Sequence, residues 1–307
     1  MREFTVLTHR RPEETTPALL RLGELAAEAG VQLRLDERET SRHAVTATAP
    51  GFALDAPLKD DVELCIALGG DGTILRALRL YRGTEVPVFA INFGQIGFLA
   101  TVEPGELDAG MRRALAGDFE LLRLPAIVLE RPGEEPAGAP GVAIAAQEEG
   151  EGVGRSSLSG QAAINDVAIH RKVGERVAEL AYEIEGEVVG NVRCDGLVVA
   201  TPAGSTGYNL ANGGPVMAWG VEGFVVSFIA PHSLTARALV VAPGDRLTIH
   251  NRSDEPLDVA IDGRPSGEIA PDGKIDACFV GEIGTIAQLP GSSFYRRLRE
   301  KFGRLAS

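Results

Sequence analysis

Apolar residues along the first 120 positions recur with two alternating periods. Phe4 to Thr8 is a short apolar run, and PALLRLGELAAEAG from Pro17 sets Leu19, Leu22, Leu25 and Ala29 on one helical face before Gly30. That spacing predicts a helix stopped by a glycine. VQLRL (31–35) alternates as a strand does, and VELCIAL (62–68) is apolar without a break before running into Gly69-Gly70-Asp71-Gly72. An unbroken run of this length is the pattern of a parallel strand covered on both faces. TILRALRLYR predicts a helix that buries Ile74, Leu75, Leu78 and Tyr81, VPVFAINF the next strand, and GELDAGMRRALAG the next helix. Strands separated by such helices make βαβ units. Residues 1–120 are therefore expected to form an open, mostly parallel, Rossmann-like α/β domain.

Beyond Phe119 the helical period fades. Short strand-like runs follow, parted by Gly, Asn or Asp: LLRLPAIVLE, QAAINDVAIHR, VAELAYEIEGEVVG, CDGLVVATP, GFVVSFIA, RLTIHN and DVAIDGR. This spacing predicts a β-rich, sandwich-like domain over 121–280. Within it, residues 131–160 are mostly Gly, Ala, Glu and Pro with little to bury, which predicts a long flexible hairpin loop. The closing segment 281–307 ends in SSFYRRLREKFGRL, a helix with Phe294, Leu298, Phe302 and Leu305 on one stripe. That stripe needs a partner, and the expectation is that it packs back on the α/β domain. No internal repeat stands out.

Composition narrows the function. The net charge of −13 over 307 residues argues against a nucleic-acid partner, which calls for clustered Lys and Arg. An acidic chain that handles an anionic ligand must do so locally, with backbone N–H groups, a metal ion or a few placed arginines. Cys65, Cys194 and Cys278 lie far apart and are odd in number, which excludes a full disulfide framework and suits a reducing cytoplasm. No apolar run reaches the roughly 18 residues of a membrane span, and the first residues lack a signal-peptide core, so a cytoplasmic protein with no membrane partner is expected. His9, His43, His170, His232 and His250 show no metal-ligand spacing, and no metal site is assigned.

Three segments carry candidate chemistry. LGGDGTIL (68–75) places glycines around an acid between a buried strand and a helix, so that bare backbone at Gly69, Gly70 and Gly72, with Thr73, can reach phosphate oxygens at a helix N-terminus. Asp71 would repel those phosphates unless Mg²⁺ intervenes or it serves as a base beside them; equally, Asp71 and Thr73 could simply cap the helix. CDGLVVATPAGSTGYNLANGGPV (194–216) opens from an apolar strand into a turn of small donors around one flat ring, Tyr208, as a nucleoside pocket does and as an ordinary polar loop also can. INDV (164–167) offers Asn165 and Asp166 to a ribose diol, or makes a plain β-turn. There is no G-x-x-x-x-G-K-[ST], no G-x-G-x-x-G after a strand, no G-x-S-x-G and no protein-kinase catalytic loop.

Taken in order and over nearly the full length, GGDGTIL, GQIGF (94–98), AINDV, CDGLVVATPAGSTGYNL, APHSL (230–234) and IDGR (261–264) resemble the NAD kinases. The glycine motif alone is shared with diacylglycerol and sphingosine kinases and, in shorter form, with phosphofructokinases; the block from Asp195 to Leu210 is not. The resemblance implies an α/β domain followed by a β-rich domain, with the terminal helix on the first. It also implies transfer of the γ-phosphoryl group of ATP to the 2′-hydroxyl of the adenosine ribose of NAD, giving NADP. The implied partners are NAD with ATP or inorganic polyphosphate as donor, Mg²⁺ travelling with ATP, no tightly bound organic cofactor, and a second or further copies of the chain in a homodimer or homotetramer.

Carried over position by position, the resemblance implies that Asp71 is the general base. It makes Asn165 and Asp166 the pair that holds the adenosine, with Thr206 and Tyr208 on the adenine side, Gly207, Asn209, Leu210 and Ala211 in the same stretch, and Phe98 lining the adenine pocket. Asp195 is then placed for the nicotinamide carboxamide, Arg193 for a neighbouring subunit's ligand, and Arg176 and Arg264 for the dinucleotide, although either arginine reads as well as a solvated surface charge. The chain departs from the family pattern at three positions, Asp166 where Glu is frequent and Gly207 and Ala211 where Ala and Ser are usual, and its 131–160 insertion is longer than most. A lipid kinase would need an apolar or basic membrane-binding face that this chain lacks. A non-catalytic dinucleotide sensor would tolerate the loss of Asp71, so the presence of that acid speaks mildly against it.

Overall fold

The computed structural model describes residues 2–46, 48–134 and 157–303. In chain order they form β1 (Arg2–Thr8), α1 (Pro12–Glu28), β2 (Val31–Arg34), α2 (Glu37–His43), β3 (Phe52–Ala53), β4 (Leu64–Gly69), α3 (Asp71–Leu80), β5 (Val88–Asn92) and α4 (Leu107–Ala116). There follow β6 (Glu120–Glu130), β7 (Ala162–Ala163), β8 (Asp166–Arg171), β9 (Ala178–Ile184), β10 (Glu187–Cys194), β11 (Gly196–Ala200) and the short α5 (Tyr208–Ala211). The chain then closes with β12 (Phe224–Ile229), β13 (Leu239–Val241), β14 (Leu247–Asn251), β15 (Leu257–Ile261), β16 (Arg264–Ile269), β17 (Lys274–Gln288) and α6 (Phe294–Phe302). Two compact units result, one from the described residues of Met1–Arg123 and Gly284–Ser307, the other from those of Leu124–Pro140 and Glu149–Ile283.

In the first unit the strands are parallel, in the order β5-β4-β1-β2-β3, with the end of β17 alongside β5 through Ile286 and Val88. Every residue of β4 and β5 is buried, as their unbroken apolar runs require. Leu19, Leu22 and Leu25 of α1 and Met111, Ala114 and Leu115 of α4 close the core over Phe4, Val6, Leu64 and Ile66. Ile74, Leu75, Leu78 and Tyr81 are buried as predicted. Helix α1 starts five residues before the predicted Pro17, at Pro12, and Ala29 lies exposed at its C-cap rather than on the apolar face. Pro12 occupies the first turn, where its missing N–H costs nothing. Gly30 adopts φ +67, the left-handed conformation of a helix stop.

The second unit is antiparallel. One sheet runs β13-β12-β11-β8-β15-β16, and a second runs β10-β9-β14-β17, with β6 pairing β7. Alternate side chains of both meet in one core, among them Val167 and Ile169 from β8, Leu197 and Val199 from β11, Leu247 and Ile249 from β14, and Val259 from β15. That is the sandwich the strand spacing predicts. Strand β11 is apolar throughout because its other face is covered too: Val198 and Ala200 pack with Met217 and Val225 under the 201–220 segment. Most of the predicted 131–160 loop, and Leu305 of the predicted helix stripe, lie outside the described residues.

Helix α6 belongs to the first unit, as expected. Its Phe294 and Phe302 rings each lie 5.7 Å from the ring of Phe98.

Candidate active site

The glycine turn of the first unit sits at the end of β4 and opens α3. Gly70 is the N-cap and makes no side-chain cap bond, so the backbone alone starts the helix, with the amides of Thr73 and Ile74 donating to the Gly70 carbonyl at 2.9 and 3.2 Å. Asp71 does not cap it. Its carboxylate turns to the segment after β5: the amide of Leu99 donates to Oδ1 at 2.9 Å and that of Phe98 to Oδ2 at 3.1 Å. Thr73 is buried, and its side chain fills the place of a Gly69 side chain, whose Cβ would meet Oγ1 at 2.3 Å. The two loops pack backbone to backbone, since a Cβ on Gly94 would lie 2.7 Å from the Gly70 Cα, while Phe93 N–H donates to the Gly69 carbonyl at 3.1 Å. Gly72 differs from these: it is exposed, and a Cβ there meets nothing within 4 Å.

Behind the turn lies a buried charged cluster that sequence reasoning missed. Glu39 of α2 is 1% exposed and accepts from Arg76 of α3 (2.6 Å), Arg42 (2.8 Å) and the Thr8 hydroxyl (2.5 Å). His43 stands 2.7 Å from Thr8 Oγ1 and 2.6 Å from Thr16 Oγ1, and burial lowers its pKa. The signal for α2 was present as Asp36 followed three residues later by Glu39: the Asp36 carboxylate caps the helix by accepting from the Glu39 amide at 2.8 Å.

In the second unit Asn165 and Asp166 stand at the start of β8, held by the turn between β15 and β16. Asp262 and Gly263 have φ of +48 and +73, the two left-handed residues of a tight hairpin. The Asp262 carboxylate accepts the amides of Asn165 (2.7 Å), Ile164 (3.3 Å) and Asp166 (3.3 Å), and its own amide donates back to the Asp166 carbonyl at 2.9 Å. Asp166 is 7% exposed. Burial, and then repulsion from Asp262, push its carboxyl up to about 7. The buried Oδ1 of Asn165 has no hydrogen-bond partner among the described residues.

The 201–211 turn closes on the same two residues. A Cβ on Gly204 would lie 2.0 Å from the Asn165 carbonyl, and one on Gly207 would lie 3.8 Å from Asp166 Oδ2. Thr201 secures the approach, donating its hydroxyl to the Ile164 carbonyl at 2.6 Å. Thr206 donates to the Ala203 carbonyl at 3.1 Å, Tyr208 is 41% exposed, Leu210 is half-buried and Ala211 exposed. Asn209 is fully buried and spends its amide on the carbonyls of Ser205 (2.9 Å) and Pro215 (3.0 Å), so it holds the turn's shape.

Asp195 lies at the other end of β11 from this turn. Arg171 donates to it at 2.6 Å and keeps its carboxyl below the usual range. Arg193, Arg176 and Arg264 are exposed. The structure thus gathers Gly69, Gly70, Asp71, Gly72, Thr73 and Phe98 in one unit. It gathers Asn165, Asp166, Thr206, Gly207 and Tyr208 in the other, with Asp195 and Arg193 a strand's length away. Phe98 is 4% exposed with its ring against α6, so what it offers the turn is its backbone.

A parallel sheet with a glycine turn at a strand's C-terminal edge, followed by an antiparallel sandwich, is an architecture this chain shares with solved kinases. A crystal structure of yeast NADH kinase complexed with NADH matches it with a TM-score of 0.78 at 20% identity, covering 100% of this chain and 89% of that one. An NAD kinase from Archaeoglobus fulgidus in complex with ATP matches with a TM-score of 0.68 at 23% identity, over 99% and 98%. Residues 22–119 match the ATP-NAD kinase N-terminal domain and 164–279 the ATP-NAD kinase C-terminal domain. The NAD kinase of Gemmatimonas aurantiaca is 34% identical over 79% of this chain and 78% of its own, and that of Lachnoclostridium phytofermentans 30% identical over 99% of each. The chain belongs to the NAD kinase family, and it is an enzyme, a kinase.

Proposed function

We propose that this chain transfers the γ-phosphoryl group of ATP to the 2′-hydroxyl of the adenosine ribose of NAD, with Asp71 as general base. The observation that carries this reading is the orientation of Asp71. A capping acid would accept from its own helix; this carboxylate is instead fixed by two amides of another loop. Each oxygen keeps a second lone pair for the proton of an incoming hydroxyl. As the 2′-oxygen attacks the γ-phosphorus its proton passes to Asp71, the bond from γ-phosphorus to the bridging oxygen breaks, and ADP leaves. Positioning and charge neutralisation supply most of the rate. Gly72 supports the phosphate role, because among the described residues nothing lies within 4 Å of a Cβ placed there.

In the second unit, Asp166 and Asn165 receive the adenosine. The unpartnered Asn165 oxygen and the high Asp166 carboxyl both suit groups completed by a ligand's donors. Asp195 takes the nicotinamide end, one five-residue strand away, about 16 Å at 3.3 Å per residue. Arg193, being exposed, is available to a second subunit's ligand in a homodimer or homotetramer. The described residues do not fit a resident metal cage, since no three His, Cys, Asp or Glu come together among them. Mg²⁺ in this reading arrives on the phosphates of ATP, keeping phosphate and water ligands as that ion prefers. The test is incubation with ATP, Mg²⁺ and either NAD or a diacylglycerol, with NADP read through an NADP-specific dehydrogenase. NADP formation is expected with NAD; phosphorylation of the lipid alone would overturn the proposal.

A further inference from the structure

The loop that holds Asp71 is tied to the sheet at both ends, by the Phe93 amide to the Gly69 carbonyl and by the Thr101 and Val102 amides to the Ala90 carbonyl. Between β5 and the turn at 104–106 it is irregular, and the amides it turns to Asp71 belong to Phe98 and Leu99. The carbonyls on either side of Leu99, those of Phe98 and Ala100, both accept from one guanidinium, Arg297 of α6, the Phe98 bond measuring 2.8 Å. The same loop is clamped a second time through the Phe98 ring between Phe294 and Phe302, and α6 is tied once more by Lys301 to Glu103. We infer that Arg297 is a positioning residue for phosphoryl transfer: from the C-terminal helix it fixes the Phe98–Ala100 backbone so that the Phe98 and Leu99 amides aim the Asp71 carboxylate.

The inference rests on Asp71 being the base. Both bonds leave from one nitrogen, Nη1, whose two N–H groups are divided between two carbonyls of one loop. Burial lowers the Arg297 pKa, and the charges of Asp71, Glu103 and Glu300 oppose that effect, Asp71 the most. The guanidinium therefore reaches Asp71 twice, through the amides it sets and through its own charge. A carboxylate whose direction is set to within a few tenths of an ångström accepts a proton from one hydroxyl geometry; a misplacement of about 1 Å at such a group can cost about a hundredfold in rate.

The experiment uses the full-length enzyme with Arg297→Gln and Arg297→Lys, each in the parent and in an Asp71→Asn background, assayed for NADP formation from ATP, Mg²⁺ and NAD. Arg297→Gln is expected to lower kcat about ten- to a hundredfold with the KM for NAD within about twofold, since aim is lost and binding is not. In the Asp71→Asn background the same substitution costs less than about twofold, because the group it serves is gone. Arg297→Lys shows the same pattern at smaller size and carries the comparison should the Gln variant not fold. An equal fractional loss in both backgrounds, or a rise in the KM for NAD with kcat unchanged, overturns the inference. Asp71→Asn retaining parental kcat would instead sink the base assignment beneath it, so the two failures are told apart.

Discussion

Leu99 and Asp71 are joined by a 2.9 Å hydrogen bond from the Leu99 amide to Oδ1, twenty-eight residues apart in the chain. This bond, with that of Phe98, holds the Asp71 carboxylate on a neighbouring loop instead of on its own helix. It exists because the loop carrying Leu99 lies flat on the glycine turn, Gly94 over Gly70, with no room for a side chain between them.

Gly94→Ala should therefore cost both stability and rate. Its Cβ would meet the Gly70 Cα at 2.7 Å, so the loop that carries the Phe98 and Leu99 amides and the turn that carries Asp71 would be pushed apart. Overpacking of this kind costs about 1–3 kcal/mol. Urea unfolding and kcat should fall together, and a variant of parental stability and activity would show the loops to be less tightly joined.

Gly72→Ala separates fold from function in the opposite sense. The added methyl meets nothing and lies in the first turn of α3, so unfolding stability should be unchanged or rise by up to about 1 kcal/mol. Activity should nonetheless fall, with the KM for ATP or NAD rising, because the methyl occupies the space a phosphate would use. A fully active variant would remove Gly72 from the phosphate turn.

Asp166 supplies the pH dependence. Its carboxyl, raised from 3.8 to about 7, stays protonated in the fold where the unfolded chain has already ionised. The folded form then holds the extra proton, so this group's contribution to stability falls as pH rises from about 4 to about 7. Asp166→Asn should flatten that slope and be the more stable protein at about pH 8. Ribose hydroxyls donate best to the ionised carboxylate, so the Kd for NAD should tighten from about pH 6 to about pH 8 in the parent and stay level in the variant. Calorimetric titration across that range reads both, and a parental Kd independent of pH would contradict the assignment.

Glu39 is the test of the cluster behind the turn. Replacing it with Ala leaves Arg42, Arg76 and the Thr8 hydroxyl without their shared acceptor; both arginines are partly exposed, so the loss costs about 1–3 kcal/mol. A fall in the midpoint of the urea transition is expected. A change below about 1 kcal/mol would show that water takes the place of the carboxylate.

Much of this was legible in the residues themselves. The unbroken VELCIAL run announced a strand buried on both faces, and the glycines after it announced the turn. Asp-Gly at 262–263 is an equally plain hairpin signal, yet β16 and the 15-residue β17 were not anticipated, because β16 is largely exposed and β17 changes from buried to exposed and back along its length. Arg297 was invisible for a different reason. Its role depends on two carbonyls some two hundred residues earlier, and a backbone acceptor leaves no mark on the side-chain pattern of either segment. Asp262 was legible only as part of a resemblance, since an acid that serves backbone amides looks in sequence like any turn acid.

The most direct measurement is the rate of NADP formation by Asp71→Asn at saturating ATP, Mg²⁺ and NAD, with NAD binding measured alongside. Asn keeps the shape of the side chain and an acceptor for one amide but cannot take the hydroxyl proton. General-base help is worth about 10²- to 10⁴-fold, so kcat should fall by that much while NAD still binds. A kcat within about twofold of the parent would mean that the ribose proton leaves by another route and that Asp71 only shapes the turn.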